Sequence, residues 1–258
     1  MRVPSGDLSD VTRYVDNHRH ITLTDKTVHF ENLLAYVRPF HTLDANTKMV
    51  EVGTGTGWFP IMCKMKGLNC KGLEISPQLV EYAREFGRAN GVEPDIEVGN
   101  IEEGNLGTGV YDVVIASSVF EHVENWRLGL KHVYQALKPG GVLFFESTNK
   151  FSFTSGEYPS MPCYGWLPNW ARYRFRMAVQ GRDIMENGID FHQFTYIGLR
   201  RAFREVGFRR ILDRVQVADP ESVSSPLKRN VLKLCKKVPL AKEATLFFFE
   251  GTTFVCIK

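Results

Sequence analysis

Residues 50–57 read Val50-Glu51-Val52-Gly53-Thr54-Gly55-Thr56-Gly57, with three glycines at alternate positions after a short apolar run. Residues 49–52 are typical of a buried strand, and residues 58–66 are typical of a helix that Gly67 ends. Glycines permit a tight turn between the two and let a ligand lie against bare main chain, while the first helical turn offers free amide groups. The stretch therefore predicts a ligand-binding bend between a strand and a helix.

Around this bend, residues 48–148 alternate between strand-like and helix-like segments, which is the pattern of a parallel sheet with crossover helices. Within that core we predict strands at 49–52, 70–75, 95–98, 110–117 and 142–147, and helices at 58–66, 77–89 and 124–137. Outside it we predict helices at 25–37, 196–205 and 225–237, and strands at 208–217 and 252–257. Whether residues 246–249 join the last strand is left open.

Composition sets the broad class. The 258 residues are 43% hydrophobic and 24% charged, as in ordinary globular proteins, and the net charge of +3 is too small to indicate nucleic-acid binding. Five cysteines without a CxxC pair indicate neither a zinc site nor a disulfide framework, and no clean metal-ligand set is present. Without a signal peptide or a long apolar run, we expect a cytoplasmic protein. The oligomeric state is left open.

Polar residues follow the predicted strands where ligands bind in open α/β sheets. Glu74 ends the second strand, 21 residues after Gly53, and a carboxylate there can accept both ribose hydroxyls of an adenosine. Asn100 and Ile101 follow the third strand, where a polar and an apolar side chain can clamp an adenine ring. Glu51 favours a cationic ligand end and would repel a pyrophosphate. The pattern predicts a positively charged adenosyl ligand.

Four motifs in this order resemble those of class I S-adenosylmethionine-dependent methyltransferases. They are the glycine stretch 51–57, Glu74, residues 111–123 (Tyr111-Asp112-Val113-Val114-Ile115-Ala116-Ser117-Ser118-Val119-Phe120-Glu121-His122-Val123) and residues 137–143 (Leu137-Lys138-Pro139-Gly140-Gly141-Val142-Leu143). The resemblance implies a Rossmann-like α/β fold: a mostly parallel seven-stranded sheet with helices on both faces. It also implies S-adenosylmethionine as cofactor and methyl transfer to a small molecule. Asn100 departs from the family, in which many members carry Asp.

Within that family, the Phe120–Val123 run and an aromatic-rich insertion after strand five look most like the ubiquinone-biosynthesis type. This likeness favours a hydroxylated aromatic or lipid-like acceptor. The chain is interpreted as a single domain, 1–258, with N-terminal helices (1–45), a cofactor-binding core (46–149), a lid-like insertion (150–192) and a C-terminal helix and strands (193–258). Residues 164–180 interleave aromatic residues with arginines. They fit a lid over the substrate best, a peripheral membrane contact next and a nucleic-acid contact least.

The motifs together predict which residues bind the cofactor. They are Glu51, Gly53, Thr54, Gly55, Gly57, Glu74, Ile75, Asn100, Ile101, Ser117, Ser118 and Val119. Catalytic residues are harder to find, because methyl transfer depends mainly on holding the reactants in line. His192 is a candidate general base or a loop histidine paired with Asp190. His122 either faces the site or bonds locally, and Glu146 is a competing base.

Two rival functions remain at this point. One is an NAD-dependent dehydrogenase, for which Tyr134 and Lys138 match a YxxxK pattern. That pattern lies in a helix leading into the Pro139-Gly140-Gly141 turn, and the N-terminal glycine pattern of those enzymes is missing. The other is a cofactor-binding protein without catalysis, which nothing in the sequence excludes.

Overall fold

The computed structural model describes residues 11–154, 161–180 and 191–258. These residues form one seven-stranded sheet, and its strands are β1 (Met49–Val52), β2 (Cys70–Glu74), β3 (Ile96–Val98), β4 (Tyr111–Ser117), β5 (Leu137–Thr148), β6 (Arg210–Asp213) and β7 (Gly251–Ile257). Their order in the sheet is β3-β2-β1-β4-β5-β7-β6. The first five strands are parallel, and β7 runs antiparallel between β5 and β6. The predicted mostly parallel α/β sheet is confirmed.

Helices cover both faces of this sheet. Those of the described residues are α1 (Thr12–His18), α2 (Leu23–Val37), α3 (Trp58–Met65), α4 (Pro77–Ala89), α5 (Trp126–Ala136), α6 (Asn169–Gln180), α7 (Tyr196–Val206), α8 (Arg214–Val217), α9 (Pro226–Lys237) and α10 (Pro239–Phe248). Val113 and Phe144 pack against α2 and α3 on one face. Their neighbours Val114 and Phe145 pack against α5 and α7 on the other. Alternate strand residues thus enter opposite cores, as in a sheet buried on both faces.

Local capping decides where several helices begin. Ser76 accepts a hydrogen bond from the Leu79 amide at 3.3 Å, and Pro77 occupies the first helical position of α4, so this helix has the predicted bounds. The side chains of Thr22 and Asp25 form a capping box, which starts α2 two residues before the prediction. Among the described residues, no helix combines the length and apolar character needed to cross a bilayer.

The strand predicted at 208–217 is wrong in its second half. β6 ends at Asp213, whose side chain accepts a hydrogen bond from the Gln216 amide at 2.9 Å and starts the short helix α8. A satisfied helix cap outweighs the strand preference of the valines that follow. The other oxygen of Asp213 accepts a hydrogen bond from the Tyr196 hydroxyl at 2.9 Å and pairs with Lys242 at 3.2 Å. This buried network ties α7 and α10 to the end of β6.

The fifth strand is longer than the predicted 142–147, and the preceding helix ends at Ala136. Leu137 already pairs with Tyr111, while Val142 pairs with Val113, so residues 138–141 form an irregularity within the strand. Gly140 has a φ of +78° there. The residues predicted as a turn are therefore accommodated within β5 without ending the strand.

The C-terminal region contains a helix that was not predicted. Residues 246–248, whose assignment was open, belong to α10 and precede β7. Asn149 anchors the end of this helix, because its side-chain amide donates hydrogen bonds to the carbonyls of Leu246, Phe247 and Phe249 at 3.1, 3.0 and 2.8 Å. These hydrogen bonds hold the end of α10 next to Asn149, the residue that follows the carboxyl end of β5.

The aromatic insertion packs against this same region. Phe151 stacks on Phe247 with ring centroids 4.5 Å apart, and Phe153 stacks on Phe248 at 5.1 Å. Residues 155–160 and 181–190 lie outside the described residues, so Tyr158, Pro159 and Asp190 are not placed. The described part of the insertion confirms an aromatic cluster that contacts α10.

The glycine bend between β1 and α3 has a left-handed backbone. Gly53, Gly55 and Gly57 have φ values of +66°, +54° and +75°. A Cβ atom at Gly57 would lie 2.6 Å from the Ala83 side chain and 2.7 Å from that of Ile96. Gly67, which ends α3, has a similar φ of +71° and no atom within 4 Å of an added Cβ. Gly57 and Gly67 thus share a left-handed backbone, but a side chain would be crowded by neighbouring atoms only at Gly57.

The pair provides a matched test of packing beneath the bend. Gly67→Ala should cost about 1–2 kcal/mol of unfolding free energy, because only the left-handed backbone is penalised. Gly57→Ala should cost a further ~1–3 kcal/mol, because its methyl group must displace α4 and β3. Urea unfolding of both variants and the wild type measures the difference. Equal losses in the two variants would contradict the close packing described for Gly57.

Candidate cofactor and active site

The candidate site lies where the strand order reverses. β1 pairs with β2 on one side and with β4 on the other, so the loops after β1 and β4 diverge and leave a crevice at the carboxyl edge of the sheet. The glycine bend follows β1, Glu74 ends β2, Asn100 follows β3 and Ser117 ends β4. Parallel pairing thus brings the predicted cofactor residues to one edge.

Glu74 is held directly against the glycine bend. Its Oε2 accepts a hydrogen bond from the Gly55 amide at 2.8 Å, and its Oε1 accepts one from the Ser76 amide at 3.1 Å. Burial raises the pKa of this carboxyl, whereas the backbone hydrogen bonds from Ser76, Gly55 and Ile75 lower it. Each carboxylate oxygen can accept more than one hydrogen bond, so the group retains capacity for a ligand hydroxyl.

Glu51 is a second buried carboxyl group beside the bend. Burial raises its pKa to about 8; a hydrogen bond from the Thr54 hydroxyl lowers it, and the charge of Glu74 raises it further. In the protein without ligand, Glu51 is therefore largely protonated at neutral pH. A cation placed between the two carboxyl groups would favour the ionised form.

The loop after β4 closes over the bend from the other side. The Val119 side chain occupies the space that a Cβ atom at Gly53 would need. Ser118 has a left-handed φ of +53°, and its amide donates to the Glu146 carbonyl at 2.9 Å. The Ser117 hydroxyl donates to the Glu146 carboxylate at 3.3 Å. The structure brings residues 117–119, the bend and Glu146 together.

Asn100 and Ile101, the two residues predicted to clamp an adenine ring, have different surroundings. Asn100 Oδ1 accepts a hydrogen bond from the Glu102 amide at 2.9 Å and thereby caps a short 3-10 helix, Ile101–Glu103. Ile101 is buried in the core cluster that includes Ala116 and Phe120. Asn100 therefore has a local structural role as the cap of this 3-10 helix.

Tyr14 is a site residue that the sequence reasoning missed. It belongs to α1, and its hydroxyl lies 2.9 Å from the position of a Cβ atom at Gly55. Burial raises the pKa of this hydroxyl to about 12, with smaller contributions from the charges of Glu74 and Glu51. A contact across forty residues leaves no local signal in the sequence, and only the apolar spacing of Val11 and Val15 hints at a packed helix.

His29 on α2 is a second missed residue. Its ring centroid lies 5.3 Å from that of Trp58, which begins α3 directly after the bend. Burial lowers the pKa of His29, Glu146 raises it and Lys26 lowers it. The imidazole is consequently neutral at physiological pH. Because it is neutral and feels the charge of Glu146, His29 is a candidate proton acceptor.

The two predicted histidines lie farther along the chain. His122 is half-buried in the 3-10 helix Phe120–His122, which follows the Val119 loop. His192 Nε2 lies 2.9 Å from the Glu124 carbonyl oxygen, so this nitrogen carries the proton and donates. The His192 ring also packs near Trp126 and Phe194. These contacts favour the structural interpretation of His192, whose suggested partner Asp190 lies outside the described residues.

The residues present fit an adenosyl cofactor with a cationic end. The glycines form a cradle that side chains would fill, and Glu74 sits at its rim with acceptor capacity for a sugar. Two buried carboxyl groups lie beside the bend, and their ionised forms would repel an anionic pyrophosphate there. The donor set is thus suited to a nucleoside bearing positive charge.

Comparisons with known proteins identify relatives. A family model described as a methyltransferase domain matches residues 24–213. The ubiquinone biosynthesis O-methyltransferase of Rickettsia canadensis is 24% identical over 143 residues, 55% of this chain and 60% of the relative. That of Xanthomonas oryzae pv. oryzae is 29% identical over 107 residues, 41% of this chain and 45% of the relative. The chain therefore spans about half the length of these curated relatives.

Solved structures share the fold. The phosphoethanolamine N-methyltransferase 2 of Haemonchus contortus, solved with phosphomonomethylethanolamine and S-adenosylhomocysteine, aligns with a TM-score of 0.60 at 16% identity, over all of this chain and 60% of that chain. A SAM-dependent methyltransferase from Archaeoglobus fulgidus aligns with a TM-score of 0.56 at 14% identity, over 96% of this chain and all of that chain. Because the family model covers well over half of the sequence, the chain belongs to the methyltransferase domain family, which confirms the resemblance to class I S-adenosylmethionine-dependent methyltransferases.

Proposed function

We propose that the chain transfers a methyl group from S-adenosylmethionine to a small-molecule acceptor, in particular to a hydroxyl of an aromatic or lipid-like compound. The observation that carries the proposal is the position of Glu74, bound to the Gly55 amide at the rim of the glycine bend. A carboxylate so placed is ready to accept the two ribose hydroxyls of an adenosine. Family membership and the names of the relatives support the same reading.

Electrostatics favour a cationic cofactor. Glu51 and Glu74 are both nearly inaccessible, and their charges disfavour each other across the bend. Buried carboxylates are costly unless a partner compensates them, and a positively charged ligand supplies that partner. S-adenosylmethionine, when bound, supplies a methyl group on a sulfonium that is already activated for transfer. The protein's own task is then to bind, orient and exclude water.

Three parts of the chain perform that positioning. The glycine bend and Glu74 hold the nucleoside side, and Tyr14 covers the bend from α1. Val119 packs against Gly53 and narrows the crevice between β1 and β4. Correct orientation of reactants supplies about 7–11 kcal/mol of barrier lowering in favourable cases, so a strong acid–base apparatus is not required.

The acceptor side is formed by the ends of β4 and β5 together with α2. Ser117, Glu146 and His29 supply polar groups there, and the aromatic insertion follows β5 directly. A hydroxyl acceptor loses its proton as the methyl group is transferred, and the neutral His29 imidazole or the Glu146 carboxylate can take it. The aromatic residues that follow β5 suit an apolar acceptor, and the relatives are named O-methyltransferases.

Calorimetric titration tests the proposal directly. The wild type should bind S-adenosylmethionine saturably, and Glu74→Gln should weaken binding about 10- to 100-fold, because charge-assisted hydrogen bonds contribute ~1.5–3 kcal/mol. Glu97→Gln, a carboxylate on the neighbouring strand β3 that pairs with Lys71 at 2.6 Å, is the matched control. Tight binding of NADH without binding of S-adenosylmethionine would reverse the assignment in favour of a dehydrogenase.

A pH titration tests the role of Glu51. Because its pKa is about 8 without ligand, the group binds a proton at pH 6–7 and must release it beside a cationic ligand. Affinity for S-adenosylmethionine should therefore rise with pH by up to about tenfold per unit between pH 6 and 7.5, where the ligand amine stays protonated. Glu51→Gln should be independent of pH in this range. A flat wild-type profile would separate Glu51 from cofactor binding.

A third test compares the candidate bases. With a catechol as acceptor probe, His29→Gln should lower kcat by about 10²-fold or more, because a positioned proton acceptor contributes 10²–10⁴-fold. Cofactor affinity, measured in parallel, should change less than threefold. Glu146→Gln and His192→Gln are measured under the same conditions. A large loss of kcat in His192→Gln, together with normal activity in His29→Gln, would return the role of general base to His192. Tight cofactor binding without turnover of any acceptor would favour a non-catalytic binding protein.

A further inference from the structure

We propose that an exposed apolar stripe along α9 docks on the surface of an anionic lipid bilayer. The docking stripe consists of Leu227, Val231, Leu234 and Val238, at intervals of four, three and four residues. This spacing places Leu227, Val231 and Leu234 on one line of α9, and Val238 directly follows the helix as its C-cap residue. All four are exposed, Leu227 to 74%.

The stripe is not the face by which α9 joins the protein. Cys235 is buried, and Leu232 packs against the main core cluster from the same helix. α9 therefore has an apolar side turned inward and a second apolar line turned to solvent. A continuous exposed apolar line on a helix whose core face is already satisfied marks an interaction surface.

The charges on α9 select the kind of surface. The helix contains Lys228, Arg229, Lys233, Lys236 and Lys237 and no acidic residue. Lys228 and Lys237 lie roughly a quarter turn to either side of the docking stripe, at about 100° per residue. Apolar residues flanked on both sides by cations are typical of helices that lie in the interface of an anionic membrane.

Several basic side chains of α9 already bind other protein groups, which reduces the number that can contact a membrane. Lys233 pairs with Glu221 at 2.8 Å, Lys236 donates to the Gln216 carbonyl at 3.3 Å, and Arg229 donates to the Val223 carbonyl at 2.9 Å. Neither Lys228 nor Lys237 forms an ion pair with a described residue. These two lysines, on opposite sides of the stripe, are the ones placed to meet phosphate groups.

The apolar surface continues onto α10. Leu240, Ala244 and Phe248 follow one another at intervals of four residues and are exposed, Leu240 to 83%. Phe248 stacks on the exposed Phe153, whose ring centroid lies 5.7 Å from that of Trp166. Because Asn149 fixes this end of α10 beside β5, the apolar surface reaches the acceptor side of the site. The apolar surface would then offer a route from the bilayer to the site for an apolar acceptor, and this part of the inference rests on the proposed function.

The sequence suggested residues 164–180 as a membrane contact. In α6 of that segment, Arg172 and Arg176 are buried, whereas Arg174 is exposed. α9 contributes further cations beside the docking stripe, and the insertion contributes the exposed aromatic rings Phe153 and Trp166.

Vesicle sedimentation tests the proposal. The full chain should co-sediment with vesicles of phosphatidylcholine and phosphatidylglycerol, should bind phosphatidylcholine vesicles much less, and should bind more weakly as salt screens the lysines. The double variant Leu227→Glu, Leu234→Glu should reduce binding to the anionic vesicles at least about tenfold. Lys228→Glu with Lys237→Glu should do the same, because each cation near an anionic surface contributes about fivefold.

Matched controls and a second readout make the outcome decisive. Ile197→Glu, at a residue 65% exposed on α7, and Lys131→Glu, at an exposed lysine on α5, should leave vesicle binding unchanged. Wild-type binding that does not depend on anionic lipid, or double variants that bind like the wild type, would overturn the proposal. So would light scattering that finds a dimer which Leu234→Glu converts to a monomer, because a second copy would then cover the stripe. The affinity for S-adenosylmethionine, measured on the same variants, should equal that of the wild type. If neither the wild type nor any variant binds S-adenosylmethionine, the proposed function is refuted, whereas the vesicle result is unaffected.

Discussion

The carboxylate of Glu74 joins the glycine bend to the end of β2 and to the start of α4, which follows β2 directly. It accepts hydrogen bonds from the amides of Gly55 and Ser76, and so fixes the glycine bend, the end of β2 and the start of α4 relative to one another. The contact at Gly55 requires close approach of the backbone, since φ is +54° and the Tyr14 hydroxyl lies only 2.9 Å from the position that a Cβ atom would take. Glycine at this position and the acid at the tip of β2 therefore depend on each other.

Placing Glu51 beside Glu74 gives the site an electrostatic state that its ligand completes. Burial alone would keep both groups neutral, and only backbone amides and the Thr54 hydroxyl counteract it. A pocket with this charge balance selects ligands by the sign of their charge as well as by their shape. Cations gain from the ionised pair, whereas an anion beside the bend is repelled by it.

How much of this was predictable depends on whether the deciding contact is local. Ser76 followed by Pro77 is a complete helix start within four residues, and the bounds of α4 were accordingly predicted correctly. The glycine bend and Glu74 were likewise recognisable, because strand order brings successive strand ends to one edge. The strand predicted at 208–217 failed at Asp213, where a side-chain cap and a buried contact with Tyr196 override the apolar alternation. Tyr14 and His29 were missed because they reach the site through packing of α1 and α2, which no spacing in the sequence encodes.

The strand order also constrains how the protein is made. β6 lies at the sheet edge and pairs with β7, which is inserted antiparallel between β5 and β6. During synthesis, residues 210–213 emerge well before residues 251–257, so β6 has no sheet neighbour until β7 has left the ribosome. The nascent chain can assemble β1 to β5 in order, yet one edge of that half-built sheet, β5, stays open in the meantime. The interval in which a chaperone has the open edge of β5 to protect is thus set by the translation of residues 149–250.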